Sequence, residues 1–261
     1  MKVKMLSKTD REIKFIVEGV NAQFVNALRR IAMAETPVLA IDTVDFYYND
    51  SVLYDEIIAH RLGSLPLEFD IKALDLRADC DCEGKGCANC QIVLVIDKKG
   101  PGMVYAKDIK SADPEVAKPL YPETPIVELF EGQKLKAEST AILGFGKDHA
   151  KWSAARAWYR NYPKITLTGN IKNPEEAVKA CPKNALSITG NKVTVTEACD
   201  LCGECAKVAR PIGVLKVGGE PEKFIFDIES ISGLSADKIV LAALSILKKK
   251  AKEFEKQTGK L

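Results

Sequence analysis

The residues with the clearest chemistry in this sequence are its eight cysteines, which fall into two sets. The first set has the spacing C-x-C-x4-C-x2-C and consists of Cys80, Cys82, Cys87 and Cys90. Four thiols so close together are typical of a tetrahedral zinc site that stabilises a loop and takes no part in redox chemistry. Gly84 and Gly86 let this loop fold back on itself. The spacing therefore predicts a structural zinc ion, with disulfides or unliganded thiols as the alternatives.

The second set begins with Cys199, Cys202 and Cys205, which have the spacing C-x2-C-x2-C. This spacing matches the first three ligands of the bacterial ferredoxin signature C-x2-C-x2-C-x3-C-P. The fourth position of the signature is occupied by Ala209. Upstream, Cys181-Pro182 matches the C-P end of a second such run.

The missing ligand positions all belong to one cluster. In ferredoxins with two clusters, the fourth cysteine of each run ligates the other cluster. One cluster would need residues 171, 174, 177 and 209, and none of them is a cysteine: Ile171, Pro174, Ala177 and Ala209. The other would need four cysteines that are all present: Cys181, Cys199, Cys202 and Cys205. The sequence predicts one [4Fe–4S] cluster on these four cysteines, with a three-iron cluster, a zinc ion or a disulfide as alternatives.

The rest of the chain offers no catalytic constellation. His149 stands beside Asp148, but no serine or cysteine nucleophile context accompanies it, and His60 lies in a stretch that we interpret as a loop. We therefore interpret the histidines as hydrogen-bonded structural residues at a subunit contact. Arg29 and Arg30 suit a contact with phosphate or a solvated helix face. Neither glycine-rich phosphate-binding motif is present, so we assign no catalytic residue.

The composition excludes several classes of protein. The 261 residues carry a net charge of +2, which is too balanced for wrapping nucleic acid by charge alone. The positive charge is concentrated at residues 238–261, which hold seven lysines and two glutamates. No apolar run approaches the roughly 20 residues of a membrane span, and the N-terminus lacks the apolar region of a signal peptide. We therefore expect a cytoplasmic protein, whose cysteines serve as metal ligands more often than they form disulfides.

The elements at the start of the chain follow a clear pattern. Residues 2–7 and 11–18 predict a hairpin, because Ile13, Phe15 and Val17 alternate with charged residues. Asn21 is a helix N-cap, and apolar residues at helical spacing predict an amphipathic helix over 22–35 that Pro37 terminates. A strand is predicted over residues 38–48, and further strands over 91–97 and 134–143.

The elements around the second cysteine set resemble a ferredoxin module. Asn173 caps a short helix with Pro174 at its first position, and this helix leads to Cys181. Residues 186–189 and 192–196 predict a hairpin across Gly190-Asn191. The cysteine run follows this hairpin directly.

The end of the chain predicts a strand over 223–227 and a long helix capped by Ser235. Its apolar residues recur at spacings of four and three, the pattern of a helix that packs on another helix. These seam positions are Val240, Leu244, Leu247, Ala251 and Phe254. A partner chain on this seam is one interpretation, and a terminal helix docked on its own core is the other.

The pattern as a whole predicts an α+β fold. A dimerisation domain is built from both chain ends, residues 1–48 and 220–261. An insertion domain with the four-cysteine loop covers 49–160 and 210–219. A ferredoxin-like iron–sulfur domain covers 161–209.

Several motifs together resemble the alpha-like subunits of RNA polymerases, a family that includes the archaeal D-type chain, the bacterial alpha N-terminal region and the eukaryotic third-largest subunit. One motif runs from Asn26 to Ile31 and continues through Glu35-Thr36-Pro37. A second runs from His60 to Leu67, and a third from Gly144 to Trp152. The first cysteine set resembles the zinc loop of the eukaryotic member, and a ferredoxin-like insert is characteristic of some archaeal members. The resemblance covers nearly the whole chain.

This resemblance implies a non-catalytic assembly subunit. Its dimerisation domain would pair with the smaller subunit L, and the pair would join subunits N and P as a platform for the two large catalytic subunits. Contact with DNA or RNA would be indirect. One cluster without a second makes a poor electron relay, which favours a structural or oxygen-sensing role in assembly.

Two other functions compete with this interpretation. The iron–sulfur subunit of an oxidoreductase would use the same four cysteines, although the sequence has no flavin or nicotinamide motif. A zinc-dependent nucleic-acid binder would use the first set, although the net charge is nearly balanced. An assembly subunit needs an obligate partner on the seam over residues 240–254, whereas an electron carrier does not.

Overall fold

The computed structural model of the chain describes residues 1–190 and 192–259. It contains several antiparallel sheets and few helices, which confirms the mixture of strands and helices that the sequence predicts. The helices are α1 (Ala22–Ala34), α2 (Asp55–Gly63), α3 (Pro174–Lys179), α4 (Glu204–Val208) and α5 (Ala236–Thr258). The strands are β1 (Lys2–Lys8), β2 (Glu12–Glu18), β3 (Val38–Asn49), β4 (Leu67–Phe69), β5 (Gln91–Lys99), β6 (Gly102–Tyr105), β7 (Lys110–Ser111), β8 (Ala117–Pro119), β9 (Pro125–Leu129), β10 (Lys134–Gly144), β11 (Ala155–Leu167), β12 (Leu186–Thr189), β13 (Lys192–Val195) and β14 (Leu215–Ser230).

The chain divides into two compact units. The first consists of Met1–Lys8, Ile13–Ala27 and Trp158–Asp227. The second consists of Thr9–Glu12, Leu28–Ala157 and the chain from Ile228 onward. The second set of cysteines lies in the first unit, and the first set lies in the second unit.

The N-terminal hairpin belongs to a four-stranded sheet with the order β1-β2-β14-β11. Strands β1 and β2 are antiparallel, with Val3 opposite Val17 and Met5 opposite Phe15, which confirms the predicted hairpin. Phe15 stacks on Phe226 of β14 with ring centroids 5.3 Å apart. Alternating side chains of β2 thus supply the apolar face that its period of two predicts.

Helix α1 begins and ends where the sequence predicts. The Phe24 backbone N–H donates to Asn21 Oδ1 at 2.9 Å, so Asn21 is the N-cap. The helix ends at Ala34, three residues before Pro37. Its apolar face is buried through Val25, Leu28, Ile31 and Ala32.

The larger sheet of the second unit has the order β3-β10-β5-β7. Strand β10 lies between two antiparallel neighbours, so that Ala141 faces Ile41 on β3 and Ile92 on β5. Its side chains are alternately buried and half-buried along the strand, because one face of the sheet packs in the core. These three long strands confirm the predictions over 38–48, 91–97 and 134–143.

One prediction about local structure is wrong. His60 lies in helix α2, not in a loop: Ile58 and Leu62 are buried one turn apart, while Asp55 and Glu56 occupy the favourable first turn. The predicted strand over 223–227 is confirmed as part of the longer strand β14, which begins at Leu215.

Ser235 and Asn173 occupy the predicted N-cap positions of α5 and α3, but neither makes a side-chain capping bond to the backbone. The Ser235 hydroxyl donates to Asp237 Oδ1 at 2.6 Å, within the first turn of α5. The Asn173 amide donates to Glu176 in α3 and to the Val208 carbonyl at 3.1 Å, and its oxygen accepts from the Arg210 backbone at 2.7 Å. Other polar partners thus take the place of the capping bonds.

The small elements around the second cysteine set form as predicted. Helix α3 leads to Cys181, and β12 pairs with β13 from Leu186 opposite Val195 to Thr189 opposite Lys192. Gly190 has a left-handed φ of 57°, as a tight turn requires. The other predicted turn residue, Asn191, lies outside the described residues.

Candidate metal centres

The first cysteine set lies on the loop between β4 and β5, and consecutive tight turns fold this loop back on itself. The Glu83 backbone N–H donates to the Cys80 carbonyl, and Lys85 donates to the Cys82 carbonyl, both at 3.1 Å. Gly84 and Gly86 have φ values of 79° and 91°, which residues with a side chain rarely adopt. The two glycines therefore provide the reversal that the spacing predicts.

The four sulfurs of this set converge on one point. Their Sγ atoms all lie within 4.8 Å of one another. Cys80 and Cys87 are 3.5 Å apart, Cys82 and Cys90 are 3.6 Å apart, and Cys87 and Cys90 are 3.9 Å apart. A tetrahedron with Zn–S bonds of about 2.3 Å has sulfurs about 3.8 Å apart, whereas a disulfide needs about 2.0 Å. The arrangement fits a single ion with four thiolate ligands, and all four thiols are free.

The thiols of this set differ in acidity because each has a different neighbour. A hydrogen bond from the Gly86 backbone N–H lowers the pKa of Cys82 to about 6. For Cys80, the backbone N–H of Cys82 favours the thiolate, but thiol hydrogen bonds, chiefly with Cys87, and burial together raise its pKa to about 12. Burial also raises the pKa of Cys90. Of these three thiols, Cys82 is therefore the most acidic.

The second cysteine set is arranged differently. Cys181, Cys199 and Cys205 are buried in one apolar core, whereas Cys202 is exposed. Burial raises the pKa of the Cys205 thiol, and the charges of Cys181, Cys199 and Cys202 raise it further. Cys181, Cys199 and Cys202 therefore all lie close enough to Cys205 to affect its pKa.

The second set does not form the compact group that the first set forms. Among the residues that the structure describes, the first set is the group whose ligand atoms converge closely enough to hold one metal ion. A cluster of several irons is larger than one ion, so its thiolate ligands stand farther apart.

Several contacts hold the loop of the second set in place. Arg160 on β11 donates to the Cys199 carbonyl at 2.7 Å and to the Glu197 carbonyl at 2.6 Å. The Ala185 backbone N–H donates to Cys181 Sγ at 3.3 Å. Arg160 is a residue that sequence reasoning missed, because nothing in the sequence links it to carbonyls 37 and 39 positions away.

Three of the four positions that lack a cysteine belong to the apolar core of the module. Ala177 and Ala209 are fully buried, and Ile171 packs against the same core. The Lys172 backbone donates to the Arg210 carbonyl at 2.8 Å, which joins the segments that carry Ile171 and Ala209. Packed side chains and a backbone hydrogen bond therefore stand where a second cluster would need thiolates.

The two histidines serve structural purposes. His149 Nδ1 accepts from the Lys151 backbone at 3.1 Å and caps the short turn Ala150–Trp152. His60 and His149 both line a cavity of about 550 Å³, in which Lys151 bonds to Asp42 at 2.7 Å. Among the described residues, no hydroxyl or thiol is hydrogen-bonded to either imidazole, so no nucleophile–base pair is formed there.

The predicted seam on helix α5 is only partly covered by the rest of the chain. Its buried residues are Ala236, Ile239 and Ala243, all in its first half. Of the seam positions, Phe254 is 70% exposed and Leu244 is 37% exposed. No helix in residues 1–190 or 192–259 is long and apolar enough to cross a membrane.

Known proteins resemble this chain along its whole length. The family described as the RNA polymerase Rpb3/RpoA insert domain matches residues 40–157. A protein of Methanothermobacter thermautotrophicus named DNA-directed RNA polymerase subunit Rpo3 is 39% identical over 258 residues, covering 97% of each chain. The Rpo3 subunits of Methanosphaera stadtmanae and Pyrococcus furiosus are 38% and 37% identical, covering at least 96% of each chain. The chain therefore belongs to the Rpo3 family of DNA-directed RNA polymerase subunits.

Proposed function

We propose that this polymerase subunit is a platform on which other subunits assemble, and that it carries no catalytic residue of its own. It would work in the cytoplasm, and its contacts with DNA and RNA would be indirect. The observation that carries this proposal is the uncovered seam of α5. Large apolar side chains on one long helix are seldom left exposed unless a partner covers them. The oxidoreductase alternative has no support among these relatives, which are named as polymerase subunits.

The partner on this seam would be the small alpha-like subunit L. Residues 1–48 and 220–261 would form the dimerisation domain, and residues 49–160 and 210–219 the insertion domain. Subunits N and P and the two large catalytic subunits would then bind the heterodimer. Lys250, which pairs with Glu35 on the second unit, helps fix the middle of α5.

The first cysteine set would hold one structural zinc ion through Cys80, Cys82, Cys87 and Cys90. The sulfur separations of 3.5–3.9 Å support this assignment. Four protein ligands leave no open position on such an ion, so it would stabilise the loop and perform no chemistry.

The second set would hold one iron–sulfur cluster, of the four-iron type, through Cys181, Cys199, Cys202 and Cys205 in a ferredoxin-like domain over 161–209. The proximity of the other three cysteines to Cys205 and the burial of three of the four support it. Such a cluster would stabilise the module and make assembly sensitive to oxygen. The exposed Cys202 is where solvent reaches this site.

The seam can be tested by coexpression of the chain with subunit L. We expect Leu244→Glu and Phe254→Glu to abolish copurification, because each places a charge in an apolar interface. Lys249→Glu is the matched control, since Lys249 is exposed on the opposite side of the heptad pattern. Retention of subunit L by both seam variants would overturn the proposed interface.

A further inference from the structure

Arg77 lies behind the first cysteine set and joins the two ends of its loop. Its Nη2 donates to Gln91 Oε1 at 2.7 Å. Arg77 stands three residues before Cys80, and Gln91 directly follows Cys90. A second link runs parallel to it, because the Asp75 backbone N–H donates to the Asn89 carbonyl at 2.8 Å. The side-chain pair therefore closes the base of the loop.

This pair also makes close contact with the loop at Gly86. A Cβ on Gly86 would collide with Gln91 Oε1 and lie 2.9 Å from Arg77 Nη2. Gly86 lies in the turn between Cys82 and Cys87. The Arg77–Gln91 pair therefore packs directly against the backbone that joins two of the four ligands.

The guanidinium is incompletely satisfied by the protein. Arg77 Nε is buried and has no hydrogen-bond partner among the described residues. Nor does any carboxylate of residues 1–190 or 192–259 form an ion pair with Arg77 within 4.0 Å. A buried donor and a positive charge are costly unless something nearby compensates for them.

We propose that Arg77 is the positioning residue of the four-cysteine metal site, acting through Gln91 and Gly86 and supplying a compensating positive charge. The inference rests on the proposed metal site. A divalent ion with four thiolates carries a net charge of −2, which a neighbouring guanidinium offsets. Residues that orient the ligands of a metal from outside its coordination shell commonly change its affinity 10- to 100-fold.

The test is the zinc affinity of the full chain, measured by competition with a chromophoric chelator. We expect the wild type to bind one Zn²⁺ at this loop. Arg77→Met should lower the affinity about 10- to 100-fold. Arg77→Lys keeps the positive charge but lacks the planar guanidinium, so its zinc affinity should lie between those of Arg77→Met and the wild type. Gln91→Ala, which removes the contact with Gly86 and leaves the charge, should also weaken binding.

The matched control is Lys85→Met, which removes a positive charge from the same loop. Lys85 is exposed and pairs only with Glu83 at 3.7 Å, so we expect unchanged affinity. The absorption of Co²⁺ in the site is a second readout, because a misplaced Cys82 ligand shifts the thiolate-to-metal band in the Gln91→Ala chain. A wild type that binds no zinc would refute the metal site itself. If the wild type binds zinc, and the Arg77→Met and Gln91→Ala chains bind it as tightly as the Lys85→Met chain does, the proposed role of Arg77 is wrong.

Discussion

At the scale of single residues, the two cysteine sets differ in their exposure to solvent. The sulfurs of the first set form one compact group and are 3.5–3.9 Å apart where they pair. The second set has three buried cysteines and one exposed one. The sequence spacing predicts one ion for the first set and a multi-iron cluster for the second, and the compact geometry of the first set fits the first of these predictions.

The exposure of Cys202 leads to a prediction about iron content. We expect Cys202→Ser to hold about three irons per chain, because the iron nearest solvent loses its thiolate while the buried cysteines keep the remainder. Cys205→Ser should lose the cluster altogether, since Cys205 lies in the apolar core that surrounds the site. Iron analysis and electron paramagnetic resonance of anaerobically purified chains measure both. Identical iron contents in the two variants would contradict this picture.

The same asymmetry predicts how air affects the wild-type chain. Exposure to oxygen should remove about one iron first, because the iron held by Cys202 is the accessible one. The electron paramagnetic resonance signal of the chain after exposure to air should match that of the Cys202→Ser variant. If air instead removes all the iron in one step, the exposed cysteine is not the weak point of the site.

At the scale of elements, one ion pair supports the short turn at residues 106–108. Lys98 on β5 donates to Asp108 Oδ2 at 2.5 Å, and the Tyr105 backbone N–H donates to the same oxygen at 2.8 Å. Burial alone would raise the pKa of Asp108, but the hydrogen bonds from Lys98 and Tyr105 outweigh it and lower the pKa. The carboxylate is therefore favoured in the folded chain.

We expect Asp108→Asn to lower the free energy of unfolding by about 1–2 kcal/mol at pH 7, since the group is partly screened by solvent. Because the folded pKa lies below the unfolded value, this contribution is complete above about pH 4 and disappears as the pH falls through the folded pKa. Denaturant unfolding of both chains at pH 7 and pH 3.5 measures it. A difference that grows on acidification would have the wrong sign.

Local signals predict the elements near the chain start because their partners are close in sequence. The alternation in β2 and the Asn21 cap each need only a few residues. Helix α2 escapes such prediction because it is a single short segment with only two buried residues, Ile58 and Leu62. The roles of Asn173 and Arg160 could not be predicted, since their partners lie more than 30 residues away. Long-range partners decide such positions.

At the scale of the whole molecule, the chain is nearly neutral, and the seam of α5 ends in a lysine-rich segment. An apolar seam and its flanking charges suit a contact with another protein more than a contact with nucleic acid alone. The family shows the chain to be a polymerase subunit, and we propose the uncovered seam as the place where a partner binds. On the proposed assignments, the two metal sites would stabilise modules that such a platform must hold in shape.

Assembly gives a prediction that separates this role from electron transfer. We expect Cys205→Ser to bind subunit L normally in coexpression, because the seam lies in the other unit. The variant should then recruit the large subunits less efficiently, because an unstable module lowers the yield of assembled enzyme. Copurified subunits, quantified by mass spectrometry, provide the measurement. Full assembly from the cluster-free chain would exclude a role for the cluster in assembly.

The most direct test of the platform role is an anaerobic affinity purification of the tagged chain from its native host. The copurifying chains are identified by mass, and zinc and iron are counted per chain. We expect two very large subunits and a small alpha-like partner to copurify, with one zinc ion and about four irons per chain. A chain that purifies alone, or with flavin-containing enzymes, would contradict it.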